Sequence, residues 1–158
     1  MVIRMTLREW ADLHRDDLKP ESATESELTE YLALADRELI DAEAVVSSEG
    51  KLLHSHNACL AMAAGALAAC GFRVRMGSKS HHWRLIESLE YTVGLDAAKV
   101  KEFQEYRKKR SIAVYERTAS VTQVEADGAI TAVRSLRAMI EEWIHRDSSD
   151  QGASSVLT

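Results

Sequence analysis

At 158 residues, with 46% hydrophobic residues, 28% charged residues and a single proline, the chain has the makeup of one globular domain able to bury a core without disulfides or metals, which excludes a disordered or fibrous protein. The net charge is −5, yet residues 71–118 hold eleven Lys and Arg against six Asp and Glu, a surplus of five positive charges, so the remainder carries −10. A basic centre in an acidic chain suits a small anionic site better than a long nucleic-acid track, which needs a broader basic face.

Thr6 and Glu9 form a Thr-x-x-Glu box, in which hydroxyl and carboxylate each satisfy a free backbone N–H, and predict a helix over about residues 7–18, ahead of Pro20. Thr24 and Glu27 repeat the box and open a helix over about residues 25–46, whose apolar stripe is Leu28, Tyr31, Leu32, Ala35, Leu39 and Ala42. Ser47, Ser48 and Gly50 predict a break, followed by a helix over residues 51–70 that Gly71 ends with a left-handed cap. The second half of that helix, ACLAMAAGALAAC, is apolar all round and reads as the central, fully surrounded helix.

Residues 71–80 are the one place for a short strand or extended loop. Ser80 then caps a helix to about Thr92, and Asp96 caps the next, carrying Val100, Phe103 and Tyr106. Thr122 and Glu125 open a long last helix with Ile130, Val133, Leu136, Ile140, Trp143 and Ile144 on one stripe. The pattern predicts an all-α, up-and-down bundle of five to six helices in one domain, residues 1–147. Residues 1–20 form an accessory N-terminal helix in this reading, and residues 148–158 (SSDQGASSVLT) a flexible polar tail.

Cys59 and Cys70 would stand about 16 Å apart on a helix, too far for a disulfide, and are expected to be buried thiols. The first ten residues lack an apolar core of signal-peptide length, and the longest apolar run, residues 58–70, is too short to cross a bilayer, so a cytoplasmic protein with no membrane partner is expected. Trp10, Trp83 and Trp143 each fall on an apolar stripe and are expected in the core. His54 and His56 have neither a His-x-x-x-His partner nor a neighbouring carboxylate, so the sequence supports no metal site, and no phosphate-binding loop, dinucleotide fingerprint or nucleophile elbow is present.

Chemistry concentrates in residues 106–117, YRKKRSIAVYER. The consecutive cations Arg107, Lys108, Lys109 and Arg110 repel one another, and a phosphate or a partner's acids would relieve them. A solvated basic helix end is the bland alternative, since cations suit a helix C-terminus. His81 and His82, at the start of a helix in the same basic half, are candidates for a general base beside Arg110.

The order of a long helix, an alanine-rich helix ending in CGFRVR, a loop into HHWRLIESL and a basic helix ending in RKKRSIAVYE resembles the HEPN domains, over about residues 25–144. The resemblance implies a helical-bundle homodimer that cleaves RNA without metal or cofactor, at an Arg-polar-His motif in a cleft between subunits. It also implies a place in a toxin–antitoxin or defence system, with a nucleotidyltransferase or other antitoxin as partner. On this chain it assigns Arg110 to the motif Arg, Ser111 to the polar position and Tyr115 to the His position, a degenerate Arg-x4-Tyr centre. Beside it, Arg107, Lys108, Lys109, His81 and His82 are the candidates, from their charge and position, for binding the substrate's anionic groups. Arg117 stands where the family carries the Tyr that its antitoxin modifies.

Tyrosine titrates near 10 and histidine near 6.5, so Tyr115 can donate a proton to a leaving oxygen but is a poor base. Residues five apart on a regular helix diverge by about 140°, so Arg110 and Tyr115 converge on one phosphate only if Ser111 breaks the helix and residues 111–118 form a turn. Three functions follow: a ribonuclease, a non-catalytic module binding RNA, a nucleotide or a protein, and a plain helical homodimer whose basic run answers the acids of the N-terminal half.

Overall fold

The computed structural model describes residues 3–115 and 121–156, with side chains described for residues 3–112 and 121–147. Arg117, the side chains of Tyr115 and of the polar tail, and residues 116–118 of the expected turn lie outside the described residues. The described residues form α1 (Leu7–Leu13), β1 (Leu18–Pro20), α2 (Glu25–Ala44), α3 (Ser48–Ala69), β2 (Phe72–Val74), α4 (His81–Thr92), α5 (Ala97–Tyr115) and α6 (Gln123–Val156). The protein is an all-α helical bundle with one small antiparallel sheet, in which Leu18 pairs with Val74, Lys19 with Arg73 and Pro20 with Phe72.

Helix α3 is the axis, with α2, α4, α5 and α6 packed around it. Its alanine-rich half buries Ala58, Cys59, Ala61, Met62, Ala63, Ala66, Leu67 and Ala68, as expected of an apolar helix surrounded on all sides. Small residues let the neighbours come close. A Cβ built on Gly65 would meet the Tyr31 Cβ at 2.9 Å, so α2 and α3 touch there because residue 65 has no side chain. Gly71, at φ +94°, turns the chain out of α3 into β2. From α6, Val133, Leu136 and Ile140 complete the core, with Trp143 and Ile144 half-buried against it.

The capping boxes at Thr6/Glu9 and Thr122/Glu125 both close. At Thr24 only half of the box forms: its hydroxyl accepts from the Glu27 N–H at 3.3 Å, while the Glu27 carboxylate turns to Arg73. Helix α3 starts earlier than predicted, because Ser47 caps it by accepting from the Gly50 N–H at 3.1 Å, leaving Gly50 in the first turn instead of in a break. Helix α2 ends at Ala44, and α6 runs to Val156, well past Arg146 where the sequence pattern lost its apolar stripe.

Helix α1 stops at Leu13 and does not reach Leu18. The cause lies far along the chain: residues 18–20 join the strand at 72–74, the ladder continuing through the Arg75 N–H to the Asp17 carbonyl at 2.7 Å and the Glu21 N–H to the Gly71 carbonyl at 2.9 Å. Pro20 favours the extended backbone in Lys19 as well. This N-terminal segment is part of the core: Trp10 is 1% exposed, stacks on Tyr91 at 5.2 Å and donates its indole N–H to Glu87 at 2.9 Å. No helix among the described residues is long and apolar enough to cross a membrane.

Candidate functional site

The start of α4 is held from three sides. Asp17 accepts from the Ser78 hydroxyl at 2.9 Å and from Arg84 Nε at 2.8 Å, and Arg84 also donates to Glu87 at 2.7 Å. The Arg84 guanidinium and the Ser78 hydroxyl hold the Asp17 carboxyl below the usual carboxylate range. This clamp fixes the direction in which His81, His82 and Trp83 leave the loop. Gln104 of α5 fixes it again, donating to the Trp83 carbonyl at 3.0 Å while accepting from Arg107 Nε at 3.0 Å.

Helix α5 is unbroken through Ser111 to Tyr115. The expected break at Ser111 is therefore absent, and the reason is visible in the residues: Ser111 is a tolerable helix residue with no proline or glycine beside it. The backbone of Arg110 and of Tyr115 thus belongs to one continuous helix, with no turn between them. Arg107 and Arg110, three apart, share a face. Of the basic run, Lys109 is answered by Glu125 of α6, and Lys108 is exposed.

The face that carries Arg107 and Arg110 meets α4 and α3 at a group of histidines. The His82 ring lies 5.4 Å from that of His56 and 5.9 Å from that of His81. His56, on α3, is 3% exposed and its Nε2 is buried with no hydrogen-bond partner among the described residues; Arg110 Nε and the Ser55 hydroxyl are buried and unpartnered in the same way. Burial, and after it the positive surroundings of His82, Arg110 and Arg107, hold His56 down at about 3. His82 is lowered too, by its contact with the protein interior first and then by His81, Arg110 and Arg107. Both are neutral imidazoles at pH 7.

No carboxylate among the described residues pairs with Arg107, Arg110, His56, His81 or His82, whereas Arg73, Arg84, Arg134 and Arg137 each have one or two. Three acids of the N-terminal half are used elsewhere: Asp17 by Arg84, Glu21 by Lys19 and Arg73, and Glu27 by Arg73. His54 does have a carboxylate, contrary to expectation: Glu38 of α2 lies 2.7 Å from its Nδ1. Among the described residues no three His, Cys, Asp or Glu side chains gather in a way that would hold a metal ion.

The structure thus brings His82, with His81 beside it, and the Arg107–Arg110 face of α5 into one cluster, and adds His56, which the sequence did not mark. Trp83 is the other surprise. It is 43% exposed, not core, its ring facing the Arg107 guanidinium at 5.3 Å and its Nε1 donating to Glu87 at 3.1 Å. The chain matches no protein-family model, no curated protein and no solved structure.

Proposed function

We propose that the protein binds RNA at the His82–Arg107–Arg110 cluster through the phosphate backbone, and that it is an HEPN-type ribonuclease in which His82 takes the role of the missing motif histidine. The observation that carries the reading is the cluster's composition: two guanidiniums and three imidazoles with no carboxylate among the described residues, in a chain of net charge −5 whose other buried or half-buried arginines are paired. Such a cluster gains from a polyanion what it lacks internally.

The chemistry follows from protonation states. A neutral His82 accepts the proton of a ribose 2′-hydroxyl; the 2′-oxygen attacks phosphorus, the bond to the 5′-oxygen breaks, and that oxygen takes a proton from water, leaving a 2′,3′-cyclic phosphate and a 5′-hydroxyl. Arg110, with an unpartnered Nε, stabilises the charge that builds on the phosphorane oxygens. His56 is too weakly basic to share the proton and serves as a neutral wall behind His82. In this reading the cleft is completed by a second copy of the chain, and an antitoxin or nucleotidyltransferase controls it.

A second reading, a module that binds RNA, a nucleotide or a protein without cutting, draws on the unbroken α5, which has no turn at Ser111 to set the motif's two ends against one phosphate. Incubating the protein with mixed RNA in chelator, beside its Arg110→Ala, His82→Ala and Tyr115→Phe variants, separates the two. Cyclic-phosphate products lost in the first two variants support cleavage through His82. RNA retained intact but bound, with binding lost in Arg110→Ala, supports the module.

A further inference from the structure

Of the three tryptophans, only Trp83 stands at the protein surface, and it is not loose there. Its indole N–H is held by Glu87, which is itself fixed by the Trp10 indole at 2.9 Å and by Arg84 at 2.7 Å. Its backbone carbonyl is held by Gln104, and the same Gln104 side chain holds Arg107 against the ring. An aromatic residue of this size, held by three neighbours yet 43% exposed, loses little conformational entropy when something flat is laid on it.

What lies beside it decides what that flat object is. Trp83 follows His82 directly in the chain, and Arg107, which contacts the indole, is one turn from Arg110 on α5, a rise of about 4.5 Å. A ring platform therefore adjoins cations that pair with no carboxylate among the described residues, within the span of a single nucleotide, which joins an aromatic base to an anionic phosphate. A base stacked inside a duplex has no free face to offer; an unpaired base does.

We propose that Trp83 is a nucleobase-stacking platform and that the ligand of the cluster is therefore single-stranded RNA, one base resting on the indole while the adjoining phosphate meets Arg110 and His82. The inference rests on the RNA reading above and adds the state of the RNA and the residue that selects it.

The test uses 2′-O-methyl oligomers, which cannot be cut through the 2′-oxygen, in three forms of equal length: a base-bearing single strand, its duplex and an abasic single strand. Each is titrated against the wild-type protein and its Trp83→Ala, Trp83→Phe and Arg110→Ala variants, all checked for a native melting transition. The wild type should prefer the base-bearing single strand. Trp83→Ala should weaken that strand roughly five- to hundredfold, the range for one base–aromatic stack, leave the abasic strand unchanged, and be largely rescued by Trp83→Phe. Arg110→Ala should weaken all three forms alike. Equal losses on base-bearing and abasic strands in Trp83→Ala would reduce Trp83 to a support for Arg107 and overturn the proposal, as would a duplex bound as tightly as the single strand. Absence of binding to every oligomer would refute the RNA reading and this inference with it.

Discussion

Lowering the pH from 7.5 to 5 should cost the protein stability at His56 above all. In the unfolded chain its imidazole titrates near 6.5, whereas in the fold burial, with His82, Arg107 and Arg110 around it, holds it at about 3. Because the folded value is the lower one, the unfolded chain binds the extra proton between these limits, so this contribution to stability is complete above about pH 6.5 and is lost as the pH falls toward 3. At 1.36 kcal/mol per pH unit once the unfolded imidazole is mostly protonated, the loss between pH 7.5 and 5 comes to about 2 kcal/mol. Urea denaturation at the two pH values, on the wild type and on His56→Gln, isolates it: the variant keeps a neutral polar side chain at the site and does not titrate, while His82 and the carboxylates are common to both. The wild type should lose about 2 kcal/mol more than the variant over this interval. Parallel losses in the two proteins would mean that residue 56 is protonated in the folded state, and the account of a dry, positively surrounded imidazole would be wrong.

The salt dependence of RNA binding should separate the cations of the basic run. Removing Arg110, which pairs with no carboxylate among the described residues, should lower the slope of log affinity against log salt by about 0.7, while Lys109→Ala, whose charge Glu125 already answers, should change it less; equal effects would show that the pairing of Lys109 does not persist in solution. Gly65→Leu should destabilise by about 1–3 kcal/mol, because a Cβ there meets the Tyr31 Cβ at 2.9 Å and Leu28 Cδ1 at 3.3 Å, and a melting temperature unchanged or raised would show that α2 and α3 have room between them.

The parts of the fold that depend on neighbours in sequence were legible. The Thr6 and Thr122 boxes, the Gly71 turn and the apolar stripe of α6 involve residues three or four apart, and each stands where the spacing puts it. Legibility failed where the deciding partner is distant. Nothing between Leu13 and Pro20 announces that the helix must end, because the strand that claims residues 18–20 lies at 72–74. Glu27 has the right place for a reciprocal cap, but Arg73 of β2, 46 residues along the chain, competes for its carboxylate. A local motif states what a residue is able to do, and tertiary packing selects among the options.

The site divides along the same line. That residues 107–110 would gather positive charge was evident, since those residues are consecutive. The assignment of Tyr115 as the partner of Arg110 relied on a break at Ser111 that an unbroken α5 does not contain. The imidazoles that do approach Arg110 come from α3 and α4, and only the packing of three helices brings them together. One signal was present: His56 is a titratable residue two positions ahead of the apolar run 58–70, on the helix read as central, where an ionisable group is costly unless neutral. Burial keeps the His56 and His82 imidazoles neutral, with the nearby cations adding to it, and no carboxylate among the described residues pairs with them to raise their pKa values or to neutralise the guanidiniums. The same surroundings that leave His82 unprotonated, as a proton acceptor must be, also leave Arg110 without an acid among the described residues, and both are conditions of the chemistry we propose.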